Sequence, residues 1–217
     1  MSLPLQYRYL PIEVKYNLTS YLACSDCKYA IHRLKERQIS YSAWKVEWAG
    51  ICALLKASVH LMAAKDAKAC LPETLKRELK KAYDELRKNK EQYPLFWKFI
   101  DRERHNILKE YEFSAYEVII QPDGTTSNTR RSLLSFMDDS VKEALLIRSG
   151  EYKTRNALDV LTEAVEWLEN YIFDTIRKAG YDPNERRYAA TLLPIETLNT
   201  SRRGTFIESI YESNDVE

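Results

Sequence analysis

The stretch that decides the fold is residues 152–179, which read YKTRNALDVLTEAVEWLENYIFDTIRKA. Apolar side chains recur there every three or four residues, and they form two adjacent stripes. The first stripe comprises Leu158, Leu161, Val165, Leu168, Ile172 and Ile176, and the second comprises Val160, Ala164, Trp167 and Tyr171. Gly180 and Pro183 follow and favour a helix end. A helix that is apolar on two faces needs partners on both, so we expect it to be central in a helical bundle.

Two further helices are predicted near the start of the chain. Residues 1–18 contain two prolines and are expected to be extended. Residues 19–37 form the first helix, with Ser20 as a capping residue and an apolar side made of Leu22, Tyr29 and Leu34. The second helix runs from Ser42, a suitable N-cap, to about Lys65. Its apolar positions are Trp44, Trp48, Ile51, Leu55, Val59 and Met62.

Two more helices are predicted between residues 72 and 113. In residues 72–91, Pro72 suits a first helical turn, and the mixed charges suit a solvated face with i,i+4 pairs. The narrow apolar stripe of that helix is Leu75, Leu79, Tyr83 and Leu86. Pro94 opens the next helix, whose expected core contacts are Phe96, Ile100, Ile107 and Tyr111.

Residues 114–130 interrupt the helical pattern. Residues 116–120 are β-prone, and Pro122-Asp123-Gly124 is a turn signal, which predicts a short hairpin or ordered loop near residues 116–128. Residues 131–148 are expected to be helical again. The sequence therefore predicts an all-α protein with a bundle of five to seven helices over residues 1–183. Residues 184–217 are expected to form a polar C-terminal tail.

Composition agrees with a helical domain. The 217 residues include only 5 Gly and 7 Pro, which disfavours a turn-rich sandwich or barrel. Because 33 basic residues face 32 acidic ones, any contact with nucleic acid would need a local patch. No secretory signal or apolar run of spanning length is apparent, so we expect a cytoplasmic location without membrane contact.

The common catalytic and metal-binding motifs are missing from the sequence. Cys24 and Cys27 form a CxxC, but Cys52 and Cys70 are singletons, so structural thiols are the favoured interpretation. His60 flanks an apolar helix stripe and is more typical of packing or exposure than of catalysis. No GxSxG, P-loop, GxGxxG or HExxH motif occurs, so no metal, cofactor or nucleotide is expected.

The most distinctive segment is residues 101–111, which read DRERHNILKEY. Charged and amide side chains inside a helix need partners from another helix, a ligand or a second subunit. Arg104 and Tyr111 are seven residues apart and would lie near one face of a continuous helix. Arg104 and Lys109 are about 140° apart around it, so they would meet at one phosphate only near a helix end or across a subunit interface.

This segment resembles the signature of the HEPN superfamily of small helical proteins. That signature has an Arg that is commonly followed by Asn, a His five positions after the Arg, and often a Tyr two further on. Arg104 and Tyr111 match their positions, whereas His105 occupies the usual Asn position and Lys109 the His position. The outline of helices 42–65, 94–113 and 152–179 is also similar, over about residues 40–180.

The resemblance implies a four- to five-helix domain that pairs as a homodimer, in a bacterial or phage defence, toxin or regulatory setting. In active members, Arg and His of both subunits form a metal-independent RNA-cleaving cleft. The corresponding catalytic candidates are Arg104, His105 and Lys109. The candidates for RNA or phosphate binding are Arg104, Asn106, Lys109, Tyr111 and Arg102.

Lysine at the histidine position favours a non-catalytic protein, because its reference pKa of about 10.4 makes it a poor proton shuttle at neutral pH. The principal hypothesis is therefore binding of RNA or a protein partner without catalysis. A metal-independent endoribonuclease that uses Arg104 with His105 or Lys109 is one alternative. A pure protein-interaction module is another, with a tail that carries Arg202, Arg203, Phe206 and Ile210. The third is a structural network in which Glu103, Arg104 and Lys109 satisfy each other and neighbouring helices.

Overall fold

The computed structural model describes residues 11–36, 40–69, 71–120, 124, 126–127 and 142–187. Within these ranges the fold is mostly helical, as predicted. The five α-helices are α1 (Thr19–Glu36), α2 (Tyr41–Ala64), α3 (Glu73–Lys88), α4 (Asp101–Glu110) and α5 (Ala157–Lys178). A π-helix, Leu95–Ile100, leads directly into α4. Short 3₁₀ turns occupy Val14–Asn17, Asp66–Lys68 and Lys90–Gln92.

Two small antiparallel sheets accompany the helices. Strand β1 (Ile12–Glu13) pairs with β5 (Arg186–Arg187), so the predicted tail begins with a strand, and the rest of it lies outside the described residues. The second sheet has the order β3-β2-β4, with β2 at Ala115–Ile120, β3 at Thr126–Ser127 and β4 at Lys142–Ile147. Its β2–β3 pairing confirms the predicted hairpin.

The predicted helix over residues 131–148 is wrong where it can be checked. Lys142–Ile147 is strand β4, and it pairs with β2 along its length, from Ala115 opposite Ile147 to Ile120 opposite Lys142. The free edge of β2 offers hydrogen-bonding groups that a local helix could not satisfy, so tertiary pairing overrides local propensity. Residues 131–141 lie outside the described residues.

Helix α2 is the central helix of the bundle and contacts α1, α3, α4 and α5. The stretch Ser42–Lys68 is long and apolar enough to cross a membrane by length and composition, which the sequence analysis did not anticipate. A core helix passes the same test, and α2 buries Trp48, Ile51 and Leu55 in the core. Lys56, on the same helix, lies 2.6 Å from Asp101 of α4.

Helix α1 matches its predicted extent but buries a different side. Leu22 and Tyr29 are 44% and 65% exposed, whereas Cys24, Cys27 and Ile31 are buried. The prediction relied on the bulkiest apolar residues. Free cysteine is among the most frequently buried residue types, and the two thiols one turn apart define the packed face.

Both predicted N-caps in this region are also wrong. Ser20 lies inside α1, and a distant residue caps the helix instead: the buried Asp66 carboxylate accepts from the N–H groups of Thr19 and Ser20, both at 2.9 Å. Helix α2 is capped by Ser40 rather than Ser42, because the Ser40 hydroxyl accepts from the N–H of Ala43 at 3.2 Å.

Helix α5 packs against α1, α2 and α3, in agreement with its two apolar stripes. It begins at Ala157 because the Asn156 side chain accepts from the N–H groups of the first turn. The hydroxyl of Tyr171, on the second stripe, donates to the carbonyl of Ala82 in α3 at 2.6 Å. Gly180 follows the helix at φ +89°, a conformation that favours glycine.

Candidate functional site

A buried carboxylate fixes helix α4 and the segment that follows it. Glu103 is 2% exposed and lies between the buried Ile100 and Ile107 on the inner face. Its Oε1 atom accepts from the indole N–H of Trp48 at 2.8 Å and from the backbone N–H of Ser114 at 3.0 Å. One oxygen therefore ties the chain after α4 to the central helix α2. Glu103 therefore meets a neighbouring helix, as the predicted network required, but it forms no bond with Arg104 or Lys109 in the part of the chain that the structure describes.

Helix α4 ends at Tyr111, which adopts the left-handed conformation at φ 54° and ψ 31°. The ring is 72% exposed, so the predicted core contact of Tyr111 is wrong. It packs edge-on against Phe113 with 5.4 Å between ring centroids. The ammonium of Lys45, from α2, lies 5.5 Å from the Tyr111 centroid and 5.6 Å from that of Phe113. Because the helix stops before it, Tyr111 does not share a helical face with Arg104.

Beside this helix end lies a cleft of about 370 Å³, which we call the basic cleft. Its walls come from α2, from α4 and the segment after it, and from the loop after β4. The lining residues are Lys45, Arg102, Asn106, Tyr111, Glu112, Phe113, Ser114, Ala115, Arg148 and Ser149. Among these lining residues Lys45, Arg102 and Arg148 are cationic and Glu112 is anionic, so the formal charge of the lining is positive.

Local backbone geometry brings the two arginines of the basic cleft together. Gly150 has φ +86°, and a Cβ atom there would lie 3.0 Å from Nη1 of Arg102, so glycine allows the guanidinium to approach the loop. The backbone N–H of Arg148 donates to the carbonyl of Ser114 at 2.7 Å. Its guanidinium lies 5.7 Å from the ring centroid of Tyr116.

Several polar groups of the basic cleft have no partner among the described residues. Neither Arg102 nor Arg148 forms an ion pair with a described carboxylate. The hydroxyl of Ser114 is buried and makes no hydrogen bond within the described ranges. Buried polar atoms are normally hydrogen-bonded, so the Ser114 hydroxyl offers unused hydrogen-bonding capacity in the same cleft as the two guanidinium groups.

The structure divides the predicted site residues into two groups. Arg102 and Asn106 are one turn apart and line the basic cleft together with Tyr111. Arg104, His105 and Lys109 are not among its lining residues, and His105 and Lys109 are exposed. Of the five phosphate-binding candidates, Arg102, Asn106 and Tyr111 line the cleft, whereas Arg104 and Lys109 lie outside its lining together with the third catalytic candidate, His105.

Lys45, Ser114, Arg148 and Ser149 line the cleft but were not among the predicted site residues. Lys45 lies in a helix that was interpreted through its tryptophans, and residues 148–149 fall at the end of a segment predicted as helix. Ser149 and Gly150 were the available signal for a turn, whereas the run Lys142–Ile147 consists largely of helix-favouring residues and carried no strand signal.

The remaining sequence candidates are part of the core. Cys24, Cys27 and Cys52 are buried free thiols, and Cys70 lies outside the described residues. Cys24 donates to the carbonyl of Val165, and Cys27 donates to that of Ile51, each at 3.8 Å. Burial raises the pKa of Cys24 to about 12 and also raises the pKa values of Cys27 and Cys52. These thiols stay protonated at neutral pH, which suits packing rather than redox or metal chemistry.

Comparison with known proteins gives no match. No family model matches the chain, and no curated protein or solved structure is significantly similar to it.

Proposed function

We propose that this protein binds single-stranded RNA in the basic cleft without cleaving it. The observation that carries the proposal is the convergence of Lys45, Arg102 and Arg148 from three separate segments beside the exposed ring of Tyr111. Positive charge next to an available aromatic face is the combination that single-stranded nucleic acids require.

Each group of the cleft has a counterpart in a nucleotide. The planar guanidinium groups of Arg102 and Arg148 suit bidentate contact with phosphate oxygens, and Lys45 adds a point charge. Asn106 and the unsatisfied Ser114 hydroxyl offer hydrogen bonds to a sugar or base. Tyr111 offers a stacking surface for a base. The volume of about 370 Å³ falls in the usual range of roughly 300–1,000 Å³ for ligand pockets.

Binding is favoured over cleavage because acid–base groups are poorly placed. A general acid or base must reach the reacting proton directly or through one water molecule. Of the residues proposed for catalysis, Arg104, His105 and Lys109 all lie outside the cleft lining. The endoribonuclease alternative would therefore need a second, separate site on the outer face of α4.

The resemblance to the HEPN superfamily stays a prediction. The mostly helical fold is compatible with it, but such folds serve many functions, so the fold carries no functional argument. Homodimer formation, the cytoplasmic location and the defence, toxin or regulatory setting likewise stay predictions. Binding of a protein partner is the competing hypothesis.

A titration with labelled RNA tests the proposal. We expect a 12-nucleotide single strand to bind at least about tenfold more tightly than a 12-base-pair duplex, because only unpaired bases stack on Tyr111. Two or three neutralised phosphates give a slope of log K against log salt of about −1.4 to −2.1. The RNA should remain intact on a gel after incubation without divalent metal. Absence of saturable binding at low salt, or a preference for the duplex, would contradict the proposal.

A further inference from the structure

A second cavity, of about 240 Å³, lies between α2, α3 and the π-helix, and we call it the aromatic cavity. It contains His60, which the RNA-binding proposal does not use. His60 lies fifteen residues after Lys45 on α2, a rise of about 22 Å along the helix axis. The two sites share no lining residue.

The aromatic cavity has walls suited to a flat ring. Tyr83, Phe96 and Trp97 contribute three aromatic side chains, and Val59 and Leu86 contribute aliphatic surface. The Trp97 indole N–H donates to the carbonyl of Leu86 at 3.0 Å, which holds that ring in place. Both Phe96 and Trp97 belong to the π-helix Leu95–Ile100, and π-helical turns are frequent at functional sites.

The charges around the aromatic cavity favour an anion. Lys56 is compensated by Asp101 at 2.6 Å. Arg87 and Lys90 form no ion pair with a described carboxylate; the Arg87 guanidinium lies 5.7 Å from the Tyr83 ring centroid, and the Lys90 ammonium lies 4.7 Å from that of Trp97. Arg87 in the cavity lining and Lys90 beside Trp97 are therefore cations without an ion-pair partner in the described part of the chain.

His60 supplies a directed hydrogen-bonding group at the aromatic cavity. Its Nδ1 atom lies 3.0 Å from the hydroxyl oxygen of Tyr83. When the phenol donates to Nδ1, the neutral imidazole carries its proton on Nε2, which becomes a donor. Arg87 and His60 together would then provide both charge and direction for one carboxylate.

We propose that the aromatic cavity binds a small aromatic carboxylate. The ring would lie against Tyr83 and Trp97, and the carboxylate would face Arg87 and His60. The cavity volume of about 240 Å³ is smaller than the 370 Å³ of the basic cleft, which favours a small molecule over a polymer. This site is separate from the proposed RNA-binding function and would give the protein a small-molecule ligand.

Calorimetric titration of the full chain with salicylate, and with neutral salicylamide as the matched control ligand, tests the proposal. We expect saturable salicylate binding, at least tenfold weaker salicylamide binding, and a shift of the Trp97 indole N–H signal in NMR spectra. Arg87→Gln should weaken salicylate binding at least tenfold. Arg77→Gln, at another exposed arginine of α3, should leave it unchanged.

Three results would overturn the proposal: no saturable binding of salicylate at 10 mM, equal binding of salicylamide, or equal losses in Arg87→Gln and Arg77→Gln. RNA affinity of the Arg87→Gln protein should match that of the unmodified chain. These measurements can therefore reject the small-molecule proposal without rejecting the RNA-binding proposal, and the reverse.

Discussion

Charged side chains are paired with each other at the contact between α1 and α5, whereas the two arginines of the basic cleft are not paired with a described carboxylate. At the first, the Lys28 ammonium lies 2.8 Å from the Glu169 carboxylate, which also accepts from the Tyr21 hydroxyl at 3.4 Å. At the second, Arg102 and Arg148 have no ion-pair partner in the described part of the chain, although Glu112 is nearby. The polar groups of the first region find their partners within the protein, whereas the second region has hydrogen-bonding groups that are available to a ligand.

We expect high pH to destabilise the packing around α1 and α5 before it affects the basic cleft. The thiols of Cys24, Cys27 and Cys52 have raised pKa values in the folded chain, so folding favours their protonated forms. The contribution of these thiols to stability is fully present below their unfolded-state pKa of 9.0. It is lost as pH rises toward the folded-state pKa, which is about 12 for Cys24. We expect the free energy of unfolding to fall by about 1.4 kcal/mol per thiol between about pH 8 and pH 10.

Urea unfolding at the two pH values measures this effect. Tyr21 and Tyr171 also have raised pKa values, so they add to the loss of unfolding free energy above about pH 10. A Cys24→Ala variant should show a smaller fall than the unmodified chain, by the share of one thiol. Equal stability at the two pH values would show that the buried thiols do not couple to folding.

Removal of the Glu103 carboxylate should damage the connection between α2 and the segment after α4, which forms a wall of the basic cleft. Glu103→Ala leaves the buried Trp48 and Ser114 N–H groups without their acceptor, and we expect a loss of about 2–4 kcal/mol in the free energy of unfolding. Glu103→Gln retains an oxygen acceptor for both donors. Its loss should be smaller by at least about 1 kcal/mol, since the shared acceptor remains, although an amide NH2 group replaces the second oxygen. Equal losses in the two variants by urea unfolding would contradict this role.

Substitution of Tyr111 should separate stability from binding. Glycine adopts φ 54° without the Cβ strain that tyrosine has there, and the relief of that strain is similar in size to the entropic cost of ordering glycine. Tyr111→Gly should therefore change the free energy of unfolding by less than about 1 kcal/mol. The same change removes the stacking ring and should weaken RNA binding about tenfold, whereas Tyr111→Phe should bind normally. Melting curves and RNA titrations of both variants test this. Normal RNA affinity in Tyr111→Gly would exclude stacking on this ring.

Local patterns predicted the regular parts of the fold well. The stripes of α3 and α5 and the hairpin of β2 and β3 follow from periodicity and turn residues, which are properties of neighbouring positions. Strand β4 was missed because its partner β2 decides its conformation. The capping of α1 by Asp66 was missed for the same reason, since 46 residues separate Asp66 from Ser20.

The candidate site was only partly predictable. Arg102 and Asn106 lie in the segment that its composition singled out, and one helical turn places them together. Lys45 and Arg148 join them only through tertiary packing. The left-handed conformation of Tyr111 ended α4 earlier than a continuous helical pattern implies, which removed the expected relation between Tyr111 and Arg104.

The most direct test of the RNA-binding account compares two double variants that each remove two positive charges near α4. Arg102→Ala/Arg148→Ala changes the basic cleft, whereas Arg104→Ala/Lys109→Ala changes residues outside its lining. Titration with a labelled 12-nucleotide RNA should show a loss of about 100-fold for the first, at roughly 1.5 kcal/mol for each charged contact, and less than about threefold for the second. An equal or larger loss in Arg104→Ala/Lys109→Ala would contradict the account and return the site to the predicted signature residues.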